Sequence, residues 1–324
     1  MRAVVVDRLM EPSELRVREA EPPKLAPGCV AVDVRAAGCN FFDILMCQGK
    51  YQMKPPLPFI PGAEAAGVVA EAAGDVKGVA VGDRVLLSTP LGAFAERVVA
   101  PARAVWKMPE KMSFEEGAAL PIVYPTSYAA LVYRAKIEPG EWLLVHAAAG
   151  GVGIAAVQIG RALGARVIAT AGGPEKLEVA RSAGAEVLID YEREDFVERV
   201  MEATGGKGAA VIYDSVGGDV FDRSLKCIAW SGRLLVIGFA GGRIPEVKAN
   251  RILLKNVSVV GLHWGAYAIH EPARIPETMN ALFRLYDEGK IRPVIFRTYP
   301  LERISDALVA LGGRKTWGKV IVAP

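Results

Sequence analysis

The fold of this chain is decided by residues 142–153, which have the sequence Trp-Leu-Leu-Val-His-Ala-Ala-Ala-Gly-Gly-Val-Gly. The first four residues form a short apolar run that is typical of a buried strand, and a glycine-rich turn follows. Residues 154–163 have the pattern of a helix, and residues 165–170 form a second apolar run. Strand, glycine turn, helix and strand make the βαβ unit that binds the diphosphate of a dinucleotide, because glycines admit the phosphates and the helix N-terminus attracts them.

The glycine spacing departs from the usual Gly-x-Gly-x-x-Gly pattern. Ala148 stands in the first place, Gly150 and Gly153 hold the other two, and Gly151 adds one more glycine. A tight turn in an ordinary strand-to-helix connection is the alternative interpretation, since a glycine cluster alone is weakly specific. The strand before the turn and the helix and strand after it favour the nucleotide site. We therefore expect Gly150, Gly151, Val152 and Gly153 to contact the cofactor.

Length and composition set the class of protein. With 324 residues and 52% apolar content, the chain suits two domains with buried cores. The formal charge of +3 comes from acids and bases spread along the chain, so nucleic-acid binding is not expected. The four cysteines form no Cys-x-x-Cys pair, and the first apolar run is too short for a signal peptide. These features predict a soluble cytoplasmic protein without a membrane span.

Strand and helix patterns divide the chain into a β-rich part and an alternating part. The opening residues contain strand-like runs at residues 3–6 and 30–34, and prolines predict that residues 36–67 are mostly loop. Ser113 and Glu116 form the pattern of a capping box at the start of a helix. A further helix is predicted at residues 126–136, ahead of the βαβ unit.

After the βαβ unit, helices and strands alternate as far as residue 237, and residues 257–261 supply a last strand. This alternation predicts an α/β fold with a Rossmann-type, doubly wound parallel sheet. A helix at residues 277–287 and a strand at residues 319–322 close the chain, and that strand is expected to return to the first domain. The predicted division is 1–122 with 265–324 for the catalytic domain, and 123–264 for the dinucleotide-binding domain.

Several segments together resemble a known family over nearly the whole chain. These are residues 36–43 (Ala-Ala-Gly-Cys-Asn-Phe-Phe-Asp), 49–51 (Gly-Lys-Tyr), 61–69 (Pro-Gly-Ala-Glu-Ala-Ala-Gly-Val-Val) and the turn at 147–153. They are similar to the medium-chain dehydrogenase/reductase superfamily, and within it to the zinc-free quinone oxidoreductases of the zeta-crystallin type. The resemblance implies a GroES-like catalytic domain beside the Rossmann domain, with the active site in the cleft between them. It also implies a homodimer that pairs through the edge at residues 253–261.

The sequence departs from the zinc-dependent relatives where those proteins bind their metal. Asn40 stands in the place of a cysteine ligand, and Ala63 replaces the histidine of their Gly-His-Glu motif. Cys39 is one residue out of register, and the lobe of four closely spaced cysteines that holds structural zinc in those relatives is missing. A catalytic zinc needs three protein ligands, so we predict that this chain binds no metal.

Cofactor choice is predicted from the end of the second strand of the βαβ unit. That strand ends at Gly172 without the acid that bonds the ribose of NAD, and Lys176 follows within the next helix turn. NADPH is therefore favoured, with Lys176 pairing with its 2′-phosphate. The family resemblance adds Tyr191 and Arg314 near the same phosphate. As alternatives, Lys176 and Arg314 are simply solvated charges, and Tyr191 is a half-buried edge aromatic.

At the nicotinamide end, the resemblance implies Asn40, Thr126 and the backbone around Phe239 and Ala240. Asn40 and Thr126 have an alternative interpretation as ordinary loop and helix-cap residues. Ser215 lies in a loop that follows a sheet strand, at the carboxyl edge where ligands bind in such sheets. We expect this loop to contact the ribose and nicotinamide.

Hydride transfer requires the protein to hold the nicotinamide against an electron-poor acceptor and to stabilise the oxygen that becomes negative. Tyr51 is the candidate hydrogen-bond donor to that oxygen, with Asn40 as the second catalytic candidate. An ordinary loop tyrosine is the alternative for Tyr51.

Together these features predict an NADPH-dependent, zinc-independent reductase of quinones or of activated C=C bonds, such as enones and alkenals. One alternative is a 2-enoyl thioester reductase, for which Lys50, Lys54 and Arg134 would supply a cationic entrance. The second is an NADPH-binding structural or RNA-binding protein with little catalysis, whose RNA affinity would fall steeply with salt.

Overall fold

The computed structural model describes residues Met1–Pro324, and the chain forms two compact units. The first unit contains residues 1–122 and 293–324, and the second contains residues 123–292. The catalytic domain was predicted to resume at residue 265, but residues 265–292 belong to the second unit. The reason is packing, since the helix at Arg274–Asp287 lies against the helix at Val123–Tyr128, and the Gln158 amide donates to the Arg292 carbonyl at 2.9 Å.

Fifteen strands are numbered in chain order: β1 Arg2–Val4, β2 Val17–Glu19, β3 Cys29–Cys39, β4 Glu64–Ala72, β5 Arg84–Ser88, β6 Arg97–Pro101, β7 Val105–Lys107, β8 Trp142–Val145, β9 Arg166–Ala171, β10 Val187–Asp190, β11 Ala209–Asp214, β12 Ile228–Val236, β13 Ser258–Gly261, β14 Ile295–Pro300 and β15 Lys319–Ala323.

Eleven α-helices are numbered in the same way: α1 Phe41–Cys47, α2 Phe114–Ala118, α3 Val123–Tyr128, α4 Gly151–Ala162, α5 Pro174–Ala183, α6 Phe196–Ala203, α7 Gly218–Ser224, α8 Ala249–Lys255, α9 Tyr267–His270, α10 Arg274–Asp287 and α11 Ile304–Gly312. Short 3₁₀ turns lie at Pro12–Glu14, Ala102–Ala104, Trp264–Ala266 and Leu301–Arg303.

The second unit is built on a parallel six-stranded sheet in the order β10-β9-β8-β11-β12-β13. Strand order therefore reverses beside β8, the strand that leads into the glycine turn, and ligands bind at such a switch point. Leu144, Ile168 and Ile212 lie fully buried in the core of this sheet. The predicted doubly wound fold class is confirmed.

The first unit contains a seven-stranded sheet, in which six strands follow the order β14-β15-β3-β4-β5-β7 and the seventh, β6, pairs with β3. The closing strand β15 pairs antiparallel with β3, with Val320 opposite Cys39. Val32, Val85 and Val320 lie in its fully buried core. The last strand thus returns to the β-rich unit and brings Lys319 next to the end of β3.

Three local predictions are right only in part. Residues 36–67 contain more regular structure than predicted, because β3 runs to Cys39, α1 follows at once and β4 begins at Glu64, which confines the loop to residues 48–63. The helix predicted at 126–136 starts earlier, at Val123, and continues after Tyr128 as a π-helix over Ala129–Ala135. Residues 253–255 are the end of helix α8, which stops where Asn256 takes a left-handed φ of 53°, so the edge strand is limited to Ser258–Gly261.

The helix predicted after Ser113 is confirmed together with its capping box, in which the Glu116 N–H donates to the Ser113 hydroxyl at 3.2 Å. Ser113 N–H donates in return to the Glu116 carboxylate at 3.0 Å. None of the helices combines the length and apolar character needed to cross a membrane.

Candidate cofactor and active site

The glycine turn presents a helix N-terminus without a side-chain cap. Helix α4 begins at Gly151, and its N-cap, Gly150, has no side chain to bond the first-turn N–H groups. A Cβ at Gly153 would lie 2.3 Å from the Ala147 carbonyl oxygen, so only glycine fits there. The N–H groups of a first helical turn have no intrahelical acceptor, which makes this turn suited to a diphosphate.

Helix α3 is tied to the glycine turn by Ser127, next to Thr126 in the chain. The Ser127 hydroxyl lies 3.0 Å from the Val152 carbonyl and 2.9 Å from the Tyr213 hydroxyl. Tyr124, one turn earlier, donates to the Gln158 side chain of α4 at 2.8 Å. Thr126 is half-buried between these two anchored positions, on a helix held against α4.

The loops after β11 and β12 lie side by side at the carboxyl edge of the parallel sheet. Asp214 holds the first loop by accepting the Val216 and Gly217 N–H groups at 2.8 and 2.9 Å. The Ala240 N–H donates to the Ser215 carbonyl at 3.1 Å, which joins the two loops. The structure therefore brings the candidates Ser215, Phe239 and Ala240 together.

Gly172 lies at the end of β9, under two side chains from the segment after β10. A Cβ on Gly172 would lie 2.8 Å from the Tyr191 hydroxyl and 2.7 Å from a Glu192 carboxylate oxygen. Lys176 follows in the first turn of α5, which begins at Pro174 as the sequence indicates. Tyr191 is 51% exposed, so it is not a core residue.

Arg314 belongs to the first unit, where it follows α11 with a left-handed φ of 56°. Its N–H closes the end of the helix by donating to the Leu311 carbonyl at 3.1 Å.

Asn40 takes part in a buried network around Glu64. Glu64 is fully buried and accepts hydrogen bonds from the Asn40 amide at 2.8 Å and from the Lys319 ammonium at 2.7 Å. Its second oxygen accepts the Ile122 N–H at 2.9 Å. Lys319 also donates to the Asn40 side-chain oxygen at 2.7 Å and to the Cys39 carbonyl at 2.8 Å. We call Asn40, Glu64 and Lys319 the Glu64 network. Within this network, Glu64 and Lys319 bond the nitrogen and the oxygen of the Asn40 amide.

The residues of this region do not fit a catalytic zinc. Ala63 offers no ligand atom, the Asn40 amide is engaged at both ends, and the Lys319 ammonium already neutralises Glu64. No group of three or more His, Cys, Asp or Glu side chains is arranged to hold a metal ion.

Asp43 lies directly beside the Glu64 network, on α1. One of its carboxylate oxygens accepts the Asn40 N–H at 2.8 Å, whereas the other is buried with no hydrogen-bond partner. Burial raises the pKa of Asp43 to about 7. Asp43 therefore changes its charge near neutral pH, in a fully buried position.

Tyr51 is half-buried and stacks on Phe42, with ring centroids 5.5 Å apart. Burial and the nearby Asp43 raise the pKa of Tyr51 above its usual range. Its hydroxyl makes no hydrogen bond within the protein, so it is a protonated donor that is available to a ligand.

His146, at the end of β8, has a structural environment. It lies 3.0 Å from the Thr170 hydroxyl and 2.9 Å from the Ser224 hydroxyl, one at each ring nitrogen. Burial lowers the pKa of His146 to about 3, so the ring stays neutral. His146 ties the end of β8 to β9 and to α7, and it is uncharged at neutral pH.

Sequence reasoning missed Ser127, Glu192 and Lys319. Ser127 and Lys319 act through partners far away in the chain, and no local pattern marks such pairs. Glu192 could have been noticed, because it directly follows the candidate Tyr191. Lys50 and Lys54 are exposed in the first unit, whereas Arg134, in the second unit, donates to the Gly261 carbonyl at 3.1 Å.

Comparison with known proteins agrees with this architecture. A model of the alcohol dehydrogenase GroES-like domain matches residues 26–110, and a model of the zinc-binding dehydrogenase family matches residues 151–284. The quinone oxidoreductase-like protein 2 homolog of Nematostella vectensis is 42% identical over 99% of this chain and 88% of its own length.

Two solved structures share the fold over the full length of both chains. The quinone oxidoreductase of Escherichia coli, complexed with NADPH, is 35% identical with a TM-score of 0.93. The quinone oxidoreductase of Thermus thermophilus, also solved with NADPH, is 36% identical with a TM-score of 0.87. This chain belongs to the medium-chain dehydrogenase/reductase superfamily and, within it, to the quinone oxidoreductase family.

Proposed function

We propose that this protein is an NADPH-dependent, metal-independent reductase that transfers hydride to quinones or to activated C=C bonds such as enones and alkenals. The observation that carries the proposal is the Glu64 network. It provides a buried ammonium and amide where zinc-dependent relatives bind their metal, so the acceptor has to be electron-poor enough to take hydride without a Lewis acid.

NADPH is the proposed cofactor, and the uncapped N-terminus of α4 would hold its diphosphate. The relatives from Escherichia coli and Thermus thermophilus, both solved with NADPH, support this choice. Lys176, Tyr191 and Arg314 are the proposed contacts of the 2′-phosphate. If Lys176 has this role, Lys176→Ala weakens NADPH binding about tenfold and leaves NADH binding nearly unchanged, because one charge-assisted contact is lost. Equal weakening for both cofactors in a fluorescence titration would contradict the assignment.

The nicotinamide side of the cofactor would lie against the joined loops of Ser215 and Ala240. The backbone around Phe239 and the side chain of Thr126 are the proposed further contacts. NADPH, when bound, supplies the hydride. The protein's part is to hold the ring rigidly, and the hydrogen bonds between the loops and between Ser127 and α4 serve that purpose.

Tyr51 is the proposed donor to the acceptor oxygen. Its hydroxyl has no partner in the protein, and its raised pKa keeps it protonated throughout the neutral range. A fixed donor at an oxygen that gains negative charge lowers the barrier to hydride transfer. Asn40, held at both ends by the Glu64 network, would fix the start of α1 and thereby the segment that carries Tyr51.

The test is NADPH oxidation, followed by absorbance in chelator-treated buffer, against ortho- and para-quinones, enones, alkenals and crotonyl-coenzyme A. Turnover of quinones or enones that persists with chelator supports the proposal. Preference for the thioester would instead identify an enoyl reductase. NADPH binding without any turnover would favour a binding protein, and loss of activity with chelator would contradict metal independence.

We further propose a homodimer that forms at the free edge of the six-stranded sheet. Strand β13 ends that sheet, and the nearby α8 exposes Leu253 and Leu254 at 78% and 72%. Unpaired edges and exposed apolar side chains are features of protein interfaces. Light scattering should give twice the chain mass for the wild type, and the variant Leu253→Glu/Leu254→Glu should be monomeric. A monomeric wild type would refute the proposal.

A further inference from the structure

Glu192 lies over the end of β9, a strand that itself ends without an acidic residue. Its carboxylate oxygen lies 2.7 Å from the point where a Cβ on Gly172 would be, and the Tyr191 hydroxyl lies near the same point. The second strand of a βαβ unit usually supplies the acid that binds a ribose hydroxyl. Here the acid comes instead from the segment after the third strand, β10.

The position of Glu192 is fixed by hydrogen bonds that do not involve the Glu192 side chain. Asp190 accepts the Glu192 N–H at 3.1 Å and the Gly173 N–H at 3.3 Å, so one carboxylate joins the segments after β9 and β10. The Tyr191 N–H donates to the Ala171 carbonyl at 3.3 Å. A substitution at position 192 therefore changes the side chain over Gly172 and keeps the loop.

The Glu192 carboxylate is not neutralised by a neighbouring cation. Arg193, the adjacent base, lies 3.8 Å from Asp190, and Arg199 pairs with Glu194 at 2.8 Å. Glu192 itself forms no ion pair. A free carboxylate is an acceptor for the 2′-hydroxyl of NADH, whereas it repels the 2′-phosphate of NADPH, which carries a charge of about −1.5 to −2 near pH 7.

We propose that Glu192 is a specificity-determining residue for the cofactor. Its carboxylate accepts a hydrogen bond from the adenosine 2′-hydroxyl of NADH and opposes the 2′-phosphate of NADPH. It therefore offsets the attraction of Lys176 for the 2′-phosphate and reduces the difference in affinity between NADPH and NADH, so that the protein binds both cofactors. This inference rests on the proposed function, because it requires a nicotinamide dinucleotide at the glycine turn.

The effect should be moderate because the site is open to solvent. Two unit charges about 4 Å apart in water interact by about 1 kcal/mol, which corresponds to roughly fivefold in affinity, and the dianionic phosphate increases this. Removing the carboxylate should therefore raise the ratio of the NADH Kd to the NADPH Kd by about five- to tenfold. Salt should reduce this change, since exposed charges are screened.

The experiment compares the wild-type protein with Glu192→Gln and Glu192→Lys, using fluorescence titration with NADPH and NADH at low and high salt. We expect the Kd ratio to rise in Glu192→Gln and to rise further in Glu192→Lys. Glu198→Gln, which removes an exposed acid from α6, is the matched control and should leave the ratio unchanged.

An unchanged ratio in both position-192 variants would overturn this inference and leave the proposed function intact. The same holds if Glu198→Gln has an equal effect, because the cause would then be net charge alone. If the wild type binds neither nucleotide, both the inference and the proposed cofactor are wrong. Circular dichroism of each variant confirms that a changed Kd does not reflect unfolding.

Discussion

Lys319→Met removes the ammonium from the Glu64 network and should strongly destabilise the protein. Glu64 is fully buried and loses its counter-ion in this variant. The Asn40 side-chain oxygen and the Cys39 carbonyl also lose their donor, at 2.7 and 2.8 Å. Methionine fills most of the volume of the lysine chain, so the variant changes charge and hydrogen bonding far more than packing.

The expected loss follows from these contacts. Breaking a buried ion pair by removing one partner costs about 3–5 kcal/mol of unfolding free energy, and the two unsatisfied acceptors contribute to that cost. For a domain of this size the loss lowers Tm by roughly 6–20 °C. The double variant Lys319→Met/Glu64→Gln should recover part of the stability, because a neutral amide needs no counter-ion.

The assay is unfolding by denaturant and by heat, followed by circular dichroism, for both variants and for Lys24→Met. Lys24 is exposed in the same unit and controls for the loss of one positive charge. A loss below about 1 kcal/mol in Lys319→Met would refute the reasoning, since a buried charge cannot be left unpaired so cheaply. Additive losses in the double variant would refute it as well, because coupled partners must deviate from additivity.

Three further predictions concern single side chains. Gly153→Ala should abolish NADPH binding in a fluorescence titration, because its Cβ would lie 2.3 Å from a carbonyl oxygen, whereas Gly74→Ala, with open space, should bind normally. Tyr51→Phe should lower kcat by about ten- to a hundredfold and leave the NADPH Kd and Tm unchanged, because its hydroxyl has no partner in the protein; an unchanged kcat would remove Tyr51 from the mechanism. The folded-state pKa of Asp43, about 7, lies above its unfolded-state pKa, so between these two values the native state keeps a proton that the unfolded state has lost. The stabilisation that this proton provides is lost as pH rises from about 4 to 7. Relative to Asp43→Asn, the wild type should lose roughly 2–4 kcal/mol of unfolding free energy across that range, and parallel stability curves would contradict this.

The sequence predicted the nucleotide-binding unit well because its signals are local. The strand at Trp142–Val145, the turn, helix α4 and strand β9 follow one another within thirty residues, and each has its own apolar period or glycine pattern. The capping box at Ser113 and the proline at the start of α5 are local signals of the same kind.

Local signals failed where neighbouring patterns conflict. Prolines near residue 58 suggested loop as far back as residue 36, although the apolar run of β3 continues to Cys39 and Asn40 then begins α1. The apolar residues Leu253 and Leu254 suggested the start of a strand-like edge, yet packing of α8 on β12 makes them helical. In the second place a tertiary contact outweighed a weak local preference.

By itself, the sequence determined the doubly wound fold, the glycine turn, the family and the candidates that lie in local motifs. Only the tertiary structure decided which side chains meet. Lys319 joins Glu64 and Asn40 across 255 and 279 residues of chain, and Glu192 reaches Gly172 from the next strand. A hydrogen bond or ion pair between distant segments leaves no periodic trace in either segment, so such partners are identified only once the sheets have formed.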